Sequence, residues 1–245
     1  MSRGDMGLIE QLLTDDCLDA ANGRWPGVEP GSKRRDRPIA IRVFKNGALE
    51  LFGKAHWVTP IIWFGPIIAL GLYRGFTRTE TAGMKTIGLF IGGWLFWTLL
   101  EYVLHRFLFH LEAKSDKDKV RAFLMHGYHH DFPDDPMHLV APPMMSWGPA
   151  LIVGTLFYYL LGPTYWLQAM AGAVSGYIAY DWIHYYTHHA RPTWALGKAL
   201  RRYHMKHHFK DGNAWYGVSS PLWDYILGTS KSKLETSSSE TAESH

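Results

Sequence analysis

Four long apolar stretches set the pattern of this chain. They run over residues 57–73, 86–109, 144–161 and 165–183, and the first is interrupted by Pro60 and Pro66. Each approaches the ~20 apolar residues that a helix needs to cross a bilayer, the first being the shortest. Core helices of a soluble protein would share the pattern, but four of them are too many for the core of a chain this size. Trp57, Trp147 and Trp166 lie near the ends of the stretches, where interfacial aromatics belong. The pattern therefore predicts an all-α integral membrane protein with four transmembrane helices, and no segment reads as a strand. Residues 1–38 are polar, with Pro26, Gly27, Pro30 and Gly31 ahead of the basic run Lys33-Arg34-Arg35-Asp36-Arg37. They read as a loosely ordered arm ending in a positive patch toward the membrane, or as a plain solubilising tail. Residues 39–54 mix Ile41, Val43, Phe44, Leu49, Leu51 and Phe52 with Arg42, Lys45 and Lys54, as an interfacial amphipathic segment would. One membrane domain is expected over 39–230, followed by a Ser-, Thr- and Glu-rich disordered tail over 231–245.

Composition agrees with the spans. Hydrophobic residues make up 47% and aromatics 15%, with 11 tryptophans. The mean hydropathy of −0.14 averages polar ends with apolar middles. A formal charge of +3, without a basic patch interleaved with aromatics, argues against nucleic-acid binding. Cys17 is the single cysteine, which excludes an intramolecular disulfide and a thiolate metal cage. The first ten residues have no long apolar core, so no cleaved signal peptide is expected.

The polar chemistry is concentrated in histidine. Ten of the 14 histidines fall in four short boxes: His105 and His110, His126-Gly-Tyr-His-His130, His184 and His188, and His204-Met-Lys-His-His208. A single histidine is usually a surface or core residue, but a repeated HxxHH spacing with two further pairs is not chance. On a helix, positions i, i+3 and i+4 lie within about 100° of one another, so each triplet is expected to aim three imidazoles at one spot. His184 and His188 share a face, whereas His105 and His110 stand about 140° apart on an ideal helix. The latter two must serve different metals, or the helix must end between them. Asp181 and Glu101 sit one turn before His184 and His105, where each could orient the imidazole. Ten imidazoles are too many for one ion and about right for two. Imidazole suits zinc, copper, iron and nickel, and the spacing alone leaves a zinc hydrolase open.

The third and fourth spans alone separate the first two boxes from the last two, so an even number of crossings returns all ten histidines to one membrane face. The connection after the first span holds only Arg74, Arg78 and Lys85, and residues 162–164 hold no cation. Most remaining Lys and Arg lie on the histidine side, which makes that side cytosolic.

These boxes carry a family resemblance. The order HRFLFH, HGYHH, HYYTHH, HMKHH is similar to the membrane-bound di-iron superfamily of fatty acid hydroxylases, sterol desaturases, sterol methyl oxidases and carotenoid hydroxylases. Residues 126–143, the segment Tyr180-Asp181-Trp-Ile-His184-Tyr-Tyr-Thr-His188-His189 and the terminal Leu-Trp-Asp-Tyr-Ile-Leu-Gly-Thr most resemble the fatty acid 2-hydroxylase (sphingolipid alpha-hydroxylase) branch. The resemblance spans about residues 39–229. It implies four membrane helices under a cytosolic helical cap that holds two iron ions, which zinc can replace in purified protein. Its ligands would be His105, His110, His126, His129, His130, His184, His188, His204, His207 and His208. Tyr180 and Asp181 match a Tyr-Asp pair that orients a ligand or the substrate head group, and His189 is a supporting residue.

The reaction so implied uses O2 and two electrons to place a hydroxyl on carbon 2 of a long fatty acid or N-acyl (ceramide-type) chain. The alternatives are sterol or carotenoid oxidation by the same chemistry, and, more distantly, a membrane metal transporter. The roughly 55 residues before the first span are too short for the cytochrome b5 domain of eukaryotic members and lack its HPGG signature. The expected donor is therefore a separate cytochrome b5-like or ferredoxin-like protein with its reductase. The expected location is a multi-pass position in a bacterial inner membrane, or the endoplasmic reticulum if the chain is eukaryotic.

Overall fold

A computed structural model describes residues 7–25 and 38–232; the basic run at 33–37 and most of the 231–245 tail lie outside the described residues. The regular elements among those residues are helices, with one isolated antiparallel bridge between Leu13 and Phe44. In chain order the helices are α1 (Leu8–Leu12), α2 (Asp15–Ala21), α3 (Gly47–Phe52), α4 (Thr59–Thr77), α5 (Met84–Val103), α6 (Asp116–Ala122), α7 (Tyr128–Asp131), α8 (Pro143–His189), α9 (Ala195–Phe209) and α10 (Leu222–Ile226). Two π-helical turns, Leu104–Phe109 and Phe123–Gly127, extend α5 and lead into α7.

Two helices among the described residues are long and apolar enough to cross a membrane, Met84–Phe109 and Met145–His189. The second breaks at Gly162, whose φ of 74° and ψ of 171° fold α8 into two limbs at a position where a side chain would be strained. α4 runs unbroken through Pro66, and Pro60 sits in its first turn, where no backbone N–H is needed. α8 packs chiefly on α5 and α4. The α5–α8 approach is close enough that a Cβ on Gly93 would meet the Ala169 carbonyl, and one on Gly172 the Phe90 carbonyl, both at 1.9 Å. Small residues at such crossings let apolar helices gain packing where burial from water cannot drive them together. Phe64, Phe157, Met170, Val174 and Tyr177 fill the bundle. Outward-facing Ile62, Ile152 and Leu160 are 67%, 71% and 69% exposed, an apolar surface suited to lipid.

Residues 7–25 of the polar N-terminal segment carry α1 and α2, and most of the rest of the expected arm lies outside the described residues. Leu13, Cys17, Val43, Val120, Phe123, Tyr128 and Phe132 form a second buried cluster. Thr14 ties it together: its Oγ1 accepts from Cys17 N at 3.1 Å as the cap of α2 and donates to the Arg42 carbonyl. Glu50 accepts from Val43 N and Phe44 N and pairs with Lys54 at 2.8 Å. This small unit braces the outer side of α7, the helix carrying His129 and His130.

Candidate metal centre

The ten box histidines gather into two groups of five. His105, His110, His126, His130 and His207 form the first; His129, His184, His188, His204 and His208 form the second, with the nitrogens of each group within 4.8 Å of one another. The stacked rings of His130 and His208, 4.1 Å apart, join the groups.

Helix geometry explains the partition and corrects the expectation that each triplet serves one spot. In both HxxHH boxes the i and i+4 histidines, about 40° apart, share a group, while the i+3 histidine falls on the other flank and joins the second group. His126 and His130 thus face one way and His129 the other; His204 and His208 pair off, leaving His207. His184 and His188, also i and i+4, stay together. The dilemma posed by His105 and His110 is resolved by a π-helical turn, in which His110 N donates to the His105 carbonyl at 3.3 Å. An i→i+5 hydrogen bond makes residues five apart one turn apart, so the two imidazoles meet in the same group.

Facing Nε2 atoms stand 3.1 Å apart for His105 and His126, 3.0 Å for His110 and His207, 2.9 Å for His129 with both His208 and His184, and 2.8 Å for His188 and His204. With an imidazole–metal bond of about 2.0–2.1 Å, donors at right angles lie about 3 Å apart and donors at the tetrahedral angle about 3.4 Å. Spacings of this size would let the nitrogens of each group hold a metal ion.

Protonation points the same way. His207 Nδ1 lies 2.8 Å from the Ala214 carbonyl and His105 Nδ1 lies 2.5 Å from the Tyr216 carbonyl. A carbonyl only accepts, so both rings carry hydrogen on Nδ1 and turn the Nε2 lone pair inward. Burial, joined by the charge of His207, lowers His110 to a pKa of about 3, and burial lowers His207 to about 4. His126, His129, His204 and His208 are also held well below the usual histidine range, first by burial and then by neighbouring imidazoles. Neutral imidazole is the form that binds metal.

An apolar cavity of about 560 Å³ reaches this centre from the helix bundle. Phe64, Trp97, Leu100 and Val153 line it, together with His126 of the first group and His129 and His184 of the second. Tyr180 and Asp181 also line it; both are buried, and the Tyr180 ring is 5.7 Å from that of His184.

A model of the fatty acid hydroxylase family matches residues 90–229, a stretch that contains all ten histidines. The chain belongs to the fatty acid hydroxylase family. It is 38% identical to a dihydroceramide fatty acyl 2-hydroxylase of Arabidopsis thaliana over 190 residues, covering 77% of this chain and 79% of that protein. It is 36% identical to the fatty acid 2-hydroxylase of Mus musculus, covering 79% of this chain and 58% of that one. The hydroxylase domain visible in a solved structure of full-length Scs7p superposes with a TM-score of 0.73 at 31% identity, covering 93% of this chain and 84% of that one.

In this family member the carboxylates near the boxes do not act as their sequence positions suggest. Glu101 forms no hydrogen bond with His105. Its Oε1 accepts from Val218 N and Ser219 N, both at 2.8 Å, and its Oε2 accepts from Ser219 Oγ. Nor does Asp181 orient His184, whose Nδ1 has no hydrogen-bond partner. A carboxylate that sequence reasoning missed completes the arrangement. Asp224, fully buried, accepts from Tyr216 N at 2.9 Å, Gly217 N at 2.7 Å and Thr229 Oγ1 at 2.6 Å. Glu101 and Asp224 therefore clamp the loop 214–219 from two sides, and that loop supplies the carbonyls that fix His207 and His105. The only sequence signal was its place in the terminal Leu-Trp-Asp-Tyr segment that resembles the family.

Proposed function

We propose that the protein is an O2-dependent lipid hydroxylase that places a hydroxyl on carbon 2 of a long fatty acid or N-acyl chain, with a metal ion in each five-histidine group. The observation that carries this reading is the cavity: a largely apolar space whose lining includes histidines of both groups. Relatives named as acyl 2-hydroxylases, matched across most of this chain, narrow the substrate to the acyl class. The donor set, nitrogen only, suits a redox-active iron pair, which would supply the activation of O2. The net change is R–CH2–CO + O2 + 2e− + 2H+ → R–CH(OH)–CO + H2O, with the electrons delivered by a separate carrier.

The chain's own residues do the rest. The walls exclude water and hold the acyl chain extended. His126, His129 and His184 define where its reacting carbon stops. Tyr180 and Asp181, in the same wall, position the polar end of the substrate. The clamped loop keeps His105 and His207 in the metal-binding tautomer. Four crossings, made by α4, α5 and the two limbs of α8, would set the histidines in a cap on the cytosolic face.

The test is reconstitution with ferrous iron, a reductant, 18O2 and a long-chain acyl lipid. A 2-hydroxy product carrying one 18O is expected. Oxidation of a sterol or carotenoid instead, or no oxygen incorporation by protein holding two iron ions, would overturn the reading.

A further inference from the structure

The helix that carries three of the box histidines also lies in a stretch of positive charge without acidic residues. Between 182 and 210 there are six Lys or Arg and no Asp or Glu. Arg201 is used internally, its Nη1 donating to the Thr187 carbonyl at 2.6 Å and the Ala190 carbonyl at 3.2 Å near the end of α8. Lys198, Arg202 and Lys206 are exposed, follow one another at intervals of four, and form no ion pair among the described residues. At 100° per residue they make a stripe on the side of α9 opposite to His204, His207 and His208. The nearest downstream carboxylate, Asp211, is turned to Ser232 Oγ and Asn213 N.

Beneath that stripe lies Trp215, 1% exposed and held at φ 58°, a left-handed conformation that a bulky residue adopts only when its surroundings compel it. Thr229 O accepts from its backbone N–H and Ser230 O from its indole N–H. The ammonium groups of Lys206 and Lys210 stand 5.4 and 5.8 Å from its ring centroid. On either side in sequence are Ala214 and Tyr216, whose carbonyls hold His207 and His105 of the first group. A buried aromatic ring thus connects a cationic surface to two histidines of one group. The substrate cavity takes no part here, because no residue after His184 lines it.

We propose that the outer face of α9, with Lys198, Arg202 and Lys206, is the docking surface for an acidic one-electron carrier protein, and that Trp215 carries the electron from it to the first histidine group. The inference rests on the hydroxylase reading, since that reaction needs two electrons per product. Each docking delivers one electron and leaves the carrier oxidised; two dockings, with O2 and two protons, yield one hydroxylated chain and one water. Redox encounters use small interfaces steered by opposite charge, and a net-positive patch with no acid of its own selects an acidic partner.

The test uses the full-length iron-loaded protein in phosphatidylcholine nanodiscs, with the reduced soluble acidic domain of cytochrome b5 as the carrier and duroquinol as a small uncharged reductant. Lys198→Glu with Arg202→Glu is expected to slow oxidation of the carrier by about 10- to 100-fold at low salt. It should also weaken the salt dependence seen with the unmodified protein, while leaving metal content and the duroquinol-driven rate unchanged. Should the double reversal fail to fold, Lys198→Gln with Arg202→Gln is expected to give a smaller loss in the same direction. Equal carrier rates in variant and unmodified protein would overturn the proposal, as would equal losses with both reductants. A loss that appears only when anionic lipid is added would assign the stripe to the membrane instead. Absence of 2-hydroxy product with either reductant, in protein holding two iron ions, would sink the hydroxylase reading itself.

Discussion

Replacing Asp224 by Asn tests whether the 214–219 loop governs metal binding. The carboxylate accepts from two backbone N–H groups and one hydroxyl in a site closed to water. An amide of the same shape keeps one acceptor oxygen and turns an NH2 toward the other partner, so one buried N–H is left without an acceptor. That costs about 1–3 kcal/mol. If relief comes by opening the loop, the Tyr216 and Ala214 carbonyls leave His105 and His207, and the whole cost appears as weakened binding in the first group. At about 1.4 kcal/mol per tenfold, the loss is between about 5- and 100-fold, confined to one of the two ions. Metal content after graded chelator competition, read by mass spectrometry, measures it directly. Two ions retained at the unmodified chelator threshold would refute the loop's role, and loss of both ions together would refute the separate grouping.

Three further outcomes follow from the same geometry. His129→Ala and His207→Ala should each abolish 2-hydroxy product without preventing membrane insertion, and each should remove a different ion; elemental analysis showing the same residual site in both would contradict the partition. Metal-free protein should lose stability as pH falls from about 6.5 toward 4. In that window the unfolded histidines take up protons that the buried ones, lowered to about 3 for His110 and about 4 for His207, refuse, so unfolding is favoured; a melting temperature flat from pH 7 to 4 would contradict this. Gly172→Ala should destabilise the bundle by about 1–3 kcal/mol, because the added Cβ meets the Phe90 carbonyl at 1.9 Å, and an unchanged melting temperature in detergent would count against the α5–α8 crossing.

Much of the chemistry was legible in the chain before its fold. Histidines at HxxHH and HxxxH spacing announce shared helix faces, and their number is enough for the two groups of five that the fold forms. What spacing could not give is the partition. It depends on a π-helical turn at 104–109 that has no signature in residue type, and on α7 and α9 each lying between the two groups so that their boxes divide. The loop 214–219 was hidden for another reason: it acts through backbone carbonyls, which every residue possesses, and its anchor Glu101 lies far from it in sequence. Glu101 looked like a partner of His105 because they are four apart, yet the carboxylate reaches His105 only through the loop. The N-terminal helices were missed because Asp15, Asp16 and Asp19 dominate the local composition. The apolar spacing of Leu13, Cys17 and Ala20 behind a Thr14 cap is only three contacts long, and it gains its partners from residues 43 and 120–132.

The positions of the cations are the most direct test of the partition. Anomalous scattering at the iron edge from crystals of iron-loaded protein should give two peaks, one among His105, His110, His126, His130 and His207 and the other among His129, His184, His188, His204 and His208. A single peak shared by both groups, or density outside them, would contradict it.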